Sequence, residues 1–224
     1  MILFSNITKK YGKVAVLEDV NFMIKRGEFV SIVGSSGAGK TTLINAIIGV
    51  EKLTKGSVLM DNFNVTHADP RELQEYRRRV GMVFQDYKLL PQKTVFENVA
   101  FALEVCGYET KDVKKYTTEA LKRTGLENHR NQYPRQLSGG EKQRTAIARA
   151  LVHAPTLIIA DEPTGNLDED NSQQVIDLLL KLNEEGTTVI LATHDKKIVN
   201  RIKQRVIVIE KGKIKSDKQN AIYD

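Results

Sequence analysis

Gly34-Ser35-Ser36-Gly37-Ala38-Gly39-Lys40-Thr41 fits the pattern G-x-x-x-x-G-K-[ST], and the rest of the chain is read outward from it. The apolar run Phe29-Val30-Ser31-Ile32-Val33 before it predicts a buried strand, and Thr42-Leu43-Ile44-Asn45-Ala46-Ile47-Ile48 after it predicts a helix. Strand, glycine-rich loop and helix in that order are the context in which the pattern carries a mechanism. Glycines at 34, 37 and 39 let the backbone wrap closely around phosphate oxygens, with successive N–H groups and a helix N-terminus aimed at negative charge. Lys40 is placed to reach the β- and γ-phosphates, and the Thr41 hydroxyl to ligate Mg²⁺. A glycine-rich turn with an incidental lysine would not need both flanks, so the expected ligand is a nucleoside triphosphate.

At 224 residues the chain is long enough for one large domain, or for a core with an inserted subdomain. Hydrophobic residues make up 41% and charged residues 28%, the balance of an ordinary globular protein. No apolar run reaches the length of a bilayer span, and Met1-Ile2-Leu3-Phe4 turns polar too soon for a signal sequence, so a cytoplasmic location is expected. Cys106 is the only cysteine, which rules out an internal disulfide and suggests a small apolar filler on a helix. The net charge of +6 fits attraction to nucleic acid or to an anionic membrane surface. It fits a solvated surface with scattered lysines equally well.

Strand-like runs separated by turn signals fill residues 2 to 33 and predict an antiparallel β region feeding the strand before the phosphate loop. Tyr11 lies within it, either as an ordinary strand aromatic or as a ring that stacks on a base. A short strand and hairpin are expected at 57–62, a charged helix at 70–79, and a buried strand at 80–84 ending at Gln85. Thr94 and Glu97 form a capping-box pattern, with Val95, Val99, Ala102 and Leu103 at helical spacing after it. A second helix is expected over about 112–123, making about 86–153 a mostly helical insertion between strands.

Ser138 and Glu141 repeat the capping pattern before Ala146, Ile147, Ala150 and Leu151. A cap alone does not explain Gly139 and Gly140, since glycine costs a helix about 1 kcal/mol relative to alanine; room for an anion at the N-terminus would explain them. Leu157 to Ala160 read as a buried strand with Asp161 and Glu162 at its C-terminal end, where ligands of parallel sheets lie. One carboxylate there can hold Mg²⁺ and the other can orient or deprotonate water. A helix at about 172–182, a strand at 188–192 ending at His194, a hairpin about Gly212 and a frayed tail complete the expected order.

With the phosphate loop, Leu137-Ser138-Gly139-Gly140-Glu141-Lys142-Gln143-Arg144, the strand ending Asp161-Glu162, and His194 in this order, the chain resembles the ATP-binding subunit of ABC transporters over nearly its whole length. The resemblance implies an α/β fold, a phosphate-loop (RecA-like) core of about 1–85 and 154–224 with an N-terminal antiparallel β region and an inserted helical subdomain of about 86–153. It implies ATP hydrolysis within an ATP-dependent homodimer, with Tyr11 on the adenine, Gly34 to Thr42 and Gln85 on the nucleotide, and Ser138, Gly139 and Gly140 covering the ATP of the other copy. Thr41, Gln85 and Asp161 would surround Mg²⁺, Glu162 would act on the water, His194 would steady the γ-phosphate, and Asn166-Leu167-Asp168 would match the family's D-loop.

The stretch Asp161 to Asp168 is similar to the branch holding lipoprotein-release, macrolide-export and cell-division ATPases, and Phe84 to Pro91 with Lys93 to Val99 is most similar to the cell-division members. That implies an FtsX-like transmembrane partner at the cytoplasmic face of the membrane, an indirect link to an extracellular peptidoglycan hydrolase, and no nucleic acid. Tyr87, Leu89 and Leu90 would then line a docking groove, unless they simply pack inward. Export or lipoprotein release with another membrane subunit is the near alternative. A nucleic-acid-associated ABC ATPase would need a coiled-coil insertion or a second ATPase domain, and a nucleotide kinase would leave Leu137 to Glu141 unexplained.

Overall fold

The computed structural model describes residues 1–223 and has an α/β architecture in two compact units, residues 1–77 with those from 186 onward, and Arg78–Glu185. In the first unit, β1 (Ile2–Tyr11) pairs antiparallel with β2 (Val14–Ile24) and with β4 (Lys55–Met60), and the short β5 (Phe63–Asn64) completes the order β2-β1-β4-β5. Alternate residues of β1 are buried, which is the pattern of a sheet with one wet face. β3 (Phe29–Val33) is buried at every position and lies in parallel between β8 (Thr188–Thr193) and β9 (Arg205–Glu210), with β10 (Lys213–Lys218) antiparallel on the outer side of β9. Burying each valine or isoleucine of such a strand contributes roughly 1.5–3 kcal/mol.

Three helices belong to this unit: α1 (Lys40–Ile47) directly after the glycine-rich loop, α2 (Pro70–Arg77), and α7 (Lys196–Ile202) after β8. Asp195 caps α7 by accepting from the amides of Lys197 (2.8 Å) and Ile198 (3.3 Å). The expected frayed tail is not what the structure shows up to residue 223. The amide of Tyr223 donates to Asn200 Oδ1 (2.6 Å), Asn200 Nδ2 donates back to its carbonyl (3.2 Å), and Ala221 and Tyr223 pack against Val33, Val199 and Val206. Asp224 lies outside the described residues.

Arg205 ties the two sheets of this unit together. Its guanidinium bonds Asp217 on β10 (2.6 and 2.7 Å), Glu28 just before β3 (3.0 and 3.2 Å) and the carbonyl of Met23 on β2 (2.7 Å), with only 11% of the side chain exposed. The two carboxylates hold its pKa above the ordinary arginine value, Asp217 contributing most. Arg205→Ala is expected to cost about 2 kcal/mol, somewhat less than losing one partner of a fully buried pair, because Asp217 is partly exposed and Glu28 still accepts from the amide of Lys25. Chemical denaturation at neutral pH checks this, and an unchanged midpoint would mean that solvent replaces the guanidinium without loss.

In the second unit β6 (Val80–Phe84) and β7 (Leu157–Asp161) form a parallel pair, and the chain between them holds α3 (Val95–Val105), α4 (Thr110–Arg123), two 3-10 turns and α5 (Gly139–Leu151); α6 (Glu169–Glu184) follows β7. Both capping boxes form, Thr94 with Glu97 on α3 and Ser138 with Glu141 on α5. The buried stripe of α3 differs from the expected one by including Asn98 and Ala100 in place of Ala102. Cys106 is the C-cap of α3, half-buried rather than inside the helix. α6 begins earlier than its apolar pattern suggests, because Asp168 caps it by accepting from the amide of Asn171 (2.8 Å). α5 approaches β6 so closely that a Cβ on Gly81 would lie 2.4 Å from the carbonyl oxygen of Ala150.

Candidate functional site

In each unit the candidate residues are set by strand register. Val33 pairs with Thr193, so Gly34 and His194 leave β3 and β8 at the same rung, at the C-terminal ends of parallel strands. Phe84 pairs with Asp161 in the same way, so Gln85 and Glu162 leave β6 and β7 together. Parallel sheets collect their ligands at such ends.

In the first unit Ser35, Ser36 and Gly37 form an exposed lip, and Gly34, Ala38, Gly39 and Lys40 are buried beneath it. Lys40 Nζ donates to the loop's own carbonyls, Gly34 O at 2.8 Å and Ser35 O at 3.3 Å, which holds the ammonium inside the curve of the loop. Gly37 (φ 77°) has open space where a Cβ would stand. Gly39 is needed for a different reason from the one expected: besides its φ of 106°, a Cβ there would meet Leu17 Cδ2 at 2.7 Å and the carbonyl of Val16 at 2.9 Å. The loop therefore presses on β2 from behind while its lip faces solvent. Thr41 is exposed and Thr42 half-buried on the first turn of α1.

His194 is exposed between two anchored neighbours, the buried Thr193 and the cap Asp195, whose amide donates to Thr193 Oγ1 (3.0 Å). Tyr11 ends β1 with half its surface exposed; its hydroxyl donates to Glu51 (2.5 Å), and Lys9 places its ammonium 4.6 Å from the ring centroid. The bond to Glu51 raises the pKa of the phenol, so the ring stays neutral and free to stack.

In the second unit Gln85 is exposed, and its carbonyl accepts from Asn166 Nδ2 (3.1 Å). Asp161 ends β7 half-buried. Glu162 follows with φ 48°, a left-handed conformation that a glutamate adopts only when its surroundings enforce it, and such positions cluster where chemistry is done. Gly165 closes this turn onto Glu162 O (3.1 Å) and lies so near Gln85 that a Cβ would meet Nε2 at 2.7 Å. The left-handed Glu162 was not signalled by residue type.

Ser138 is exposed at the head of α5. The expectation that Gly139 and Gly140 leave room for an anion needs revision in its reason. A Cβ on Gly140 would lie 1.8 Å from Asn171 Oδ1, and one on Gly139 would lie 3.1 Å from Leu167 and 3.3 Å from the Tyr87 hydroxyl. Packing against Asn171 by itself demands Gly140, while Leu167 and Tyr87 only crowd position 139. Asn171 is held there through two bonds from Nδ2 to the Asp168 carboxylate (2.8 and 2.9 Å).

Thr41, Gln85 and Asp161 offer a hydroxyl, an amide oxygen and a carboxylate, all hard oxygen donors suited to Mg²⁺. Among the described residues no group of three His, Cys, Asp or Glu forms a ready-made metal cage. Each of these donor types, taken by itself, is one that Mg²⁺ accepts beside its own waters and phosphate oxygens. Among the described residues no helix is long and apolar enough to cross a membrane.

Comparison with known proteins identifies the family. Residues 17–165 match the ABC transporter family. The chain is 48% identical over 224 residues to the cell division ATP-binding protein FtsE of Bacillus subtilis (strain 168), covering 100% of this chain and 98% of that protein. It is 41% identical over 215 residues to the methionine import ATP-binding protein MetN of Clostridioides difficile (strain 630), covering 96% of this chain and 67% of that one. An ATP-binding cassette solved as a dimer in a post-hydrolysis state, bound to ADP and Pi, matches the structure with a TM-score of 0.88 and 39% identity over 100% of both chains.

Proposed function

Because the chain belongs to the ABC transporter family and is an ATP-binding ATPase of the α/β cassette fold, we propose that it is the ATP-hydrolysing subunit of a cell-division complex, acting with an FtsX-like transmembrane protein to activate cell-wall hydrolases across the membrane. The observation that carries this reading is the end-to-end likeness to a cell-division ATP-binding protein, 48% over the whole chain. The chain would work at the cytoplasmic face of the membrane, held there by its partner. Its helical part, about 86–153, would act as the subdomain that receives that partner.

In the proposed cycle, two copies close around ATP, the phosphate loop of one facing Ser138, Gly139 and Gly140 of the other. The amides at the head of α5 then meet the γ-phosphate with the positive end of a helix. Glu162 takes a proton from the attacking water as its oxygen bonds to the γ-phosphorus; the bond to the β–γ bridging oxygen breaks, and its electrons pass to ADP. Lys40 stabilises the charge that gathers on the phosphates, and His194 holds the γ-phosphate in line. Tyr11 stacks on the adenine. Mg²⁺, held by Thr41, Gln85 and Asp161, supplies charge neutralisation when bound. Loss of the γ-phosphate removes the charge that α5 of the second copy recognises, and the dimer opens.

The partner would dock at the loop after Gln85. Tyr87, Leu89 and Leu90 are each half-buried, a middle course between an inward-packed cluster and a free one, and part of each remains to meet a partner. Phe101 (39% exposed), Val105 (64%) and Tyr108 (42%), spaced along and just beyond α3, add apolar surface to the same unit. A short amphipathic helix from the membrane subunit suits such a surface. Changing Tyr87 and Leu90 together to Asp is expected to abolish co-purification with the membrane protein and complementation of division while ATP binding persists. Retained co-purification would place docking elsewhere. A methionine-import reading is favoured only by the 41% match; capture of an import permease by the wild-type chain would establish it and overturn the division reading.

A further inference from the structure

The loop after Gln85 holds two consecutive residues in the left-handed region, Tyr87 (φ 60°) and Lys88 (φ 48°), and neither is glycine. Side chains of the second and last turns of α5 hold the strand end and the loop: Gln143 Nε2 donates to the carbonyl of Phe84 (3.4 Å), while Arg149 donates from Nη2 to Tyr87 O (2.9 Å) and from Nη1 to Lys88 O (2.6 Å). The guanidinium fork thus spans the two carbonyls of the strained pair, a geometry that the single ammonium of a lysine does not reproduce. An arginine guanidinium keeps its charge in proteins, so both bonds are charge-assisted; burial acts against it by lowering its pKa. Further along, the fully buried Asn98 of α3 fixes Leu90 through its amide (2.7 Å) and carbonyl (3.1 Å), and also bonds the carbonyls of Lys93 and Thr94.

We propose that Arg149 is a positioning residue whose guanidinium latches Tyr87–Lys88 in the left-handed turn, so that the loop after Gln85 and the helix headed by Ser138 move as one piece. The latch joins the segment assigned to partner docking to the helix assigned to the second copy's ATP; that link to function rests on the docking reading above, whereas the latch itself does not.

Hydrogen exchange on the isolated full-length protein tests the latch. In Arg149→Met, protection of the Tyr87 and Lys88 amides is expected to fall about tenfold or more, the loss of two charge-assisted bonds. Leu90, held by Asn98, and the amides within α3 and α5 keep their protection. Adding Lys88→Gly, which adopts positive φ without strain, is expected to restore protection at 87–88 to within about threefold of the wild type. Unchanged exchange at 87–88 in Arg149→Met, a loss spread through α3 and α5, or failure of Lys88→Gly to restore it would each overturn the latch. In a second arm, Arg149→Met is expected to weaken co-purification with the membrane subunit, and Lys88→Gly to recover it. If exchange behaves as expected and co-purification does not change, the latch stands and the docking reading falls.

Discussion

Glu162→Gln is expected to bind ATP as the wild type does and to hydrolyse it about 10²–10⁴-fold more slowly, the usual contribution of a positioned general base. Gln matches Glu in size and accepts the left-handed conformation of residue 162 no worse, so the backbone turn closed by Gly165 is retained. What is lost is the carboxylate proposed to take the proton. Lys40→Ala acts on a different quantity, because removing a buried ammonium bonded to Gly34 and Ser35 empties the centre of the loop and weakens nucleotide binding itself. Fluorescent-nucleotide titration beside phosphate release separates the two. Hydrolysis at the wild-type rate in Glu162→Gln would remove Glu162 from the mechanism.

The second large effect is on assembly. Glu162→Gln with Mg-ATP is expected to form a stable dimer in light scattering and to remain monomeric with ADP. Ser138→Arg in that background is expected to abolish the dimer while leaving ATP on the phosphate loop. Ser138 is exposed, so a bulky cation there disturbs little within one copy, but in the proposed dimer it would stand where the second copy's phosphates approach. Its cost within the chain is the loss of an N-cap, about 1 kcal/mol. A dimer as tight with ADP as with ATP would leave no γ-phosphate switch, and a Ser138→Arg dimer would leave α5 without its proposed role.

Much of the architecture was legible because it rests on local signals. Continuous apolar runs mark β3, β7 and β8, two capping boxes mark α3 and α5, and the phosphate loop announces its own strand and helix. What stayed hidden depends on partners far away in sequence. Gly81 is required by Ala150 and Gly140 by Asn171, and nothing in a glycine's neighbours says which carbonyl or carboxamide will come to rest against it. The early start of α6 was missed because Asp168 reads as a turn residue until its side chain is seen to accept from Asn171. Tyr87 and Lys88 carry no sequence mark of positive φ; the mark lies on Arg149, 61 positions beyond Lys88.

The shared rung of Val33 and Thr193 also governs where this chain tolerates changes of length. Adding one residue within β3 would exchange the side chains on its two buried faces and carry the phosphate loop about 3.3 Å past the residue that follows β8. No compensating shift is open to β3 alone, since it is paired on its other side with β9. Natural or engineered variants of this protein should therefore keep a fixed residue count from Phe29 to Gly34, because a length change there would uncouple the phosphate loop from the residue that follows β8.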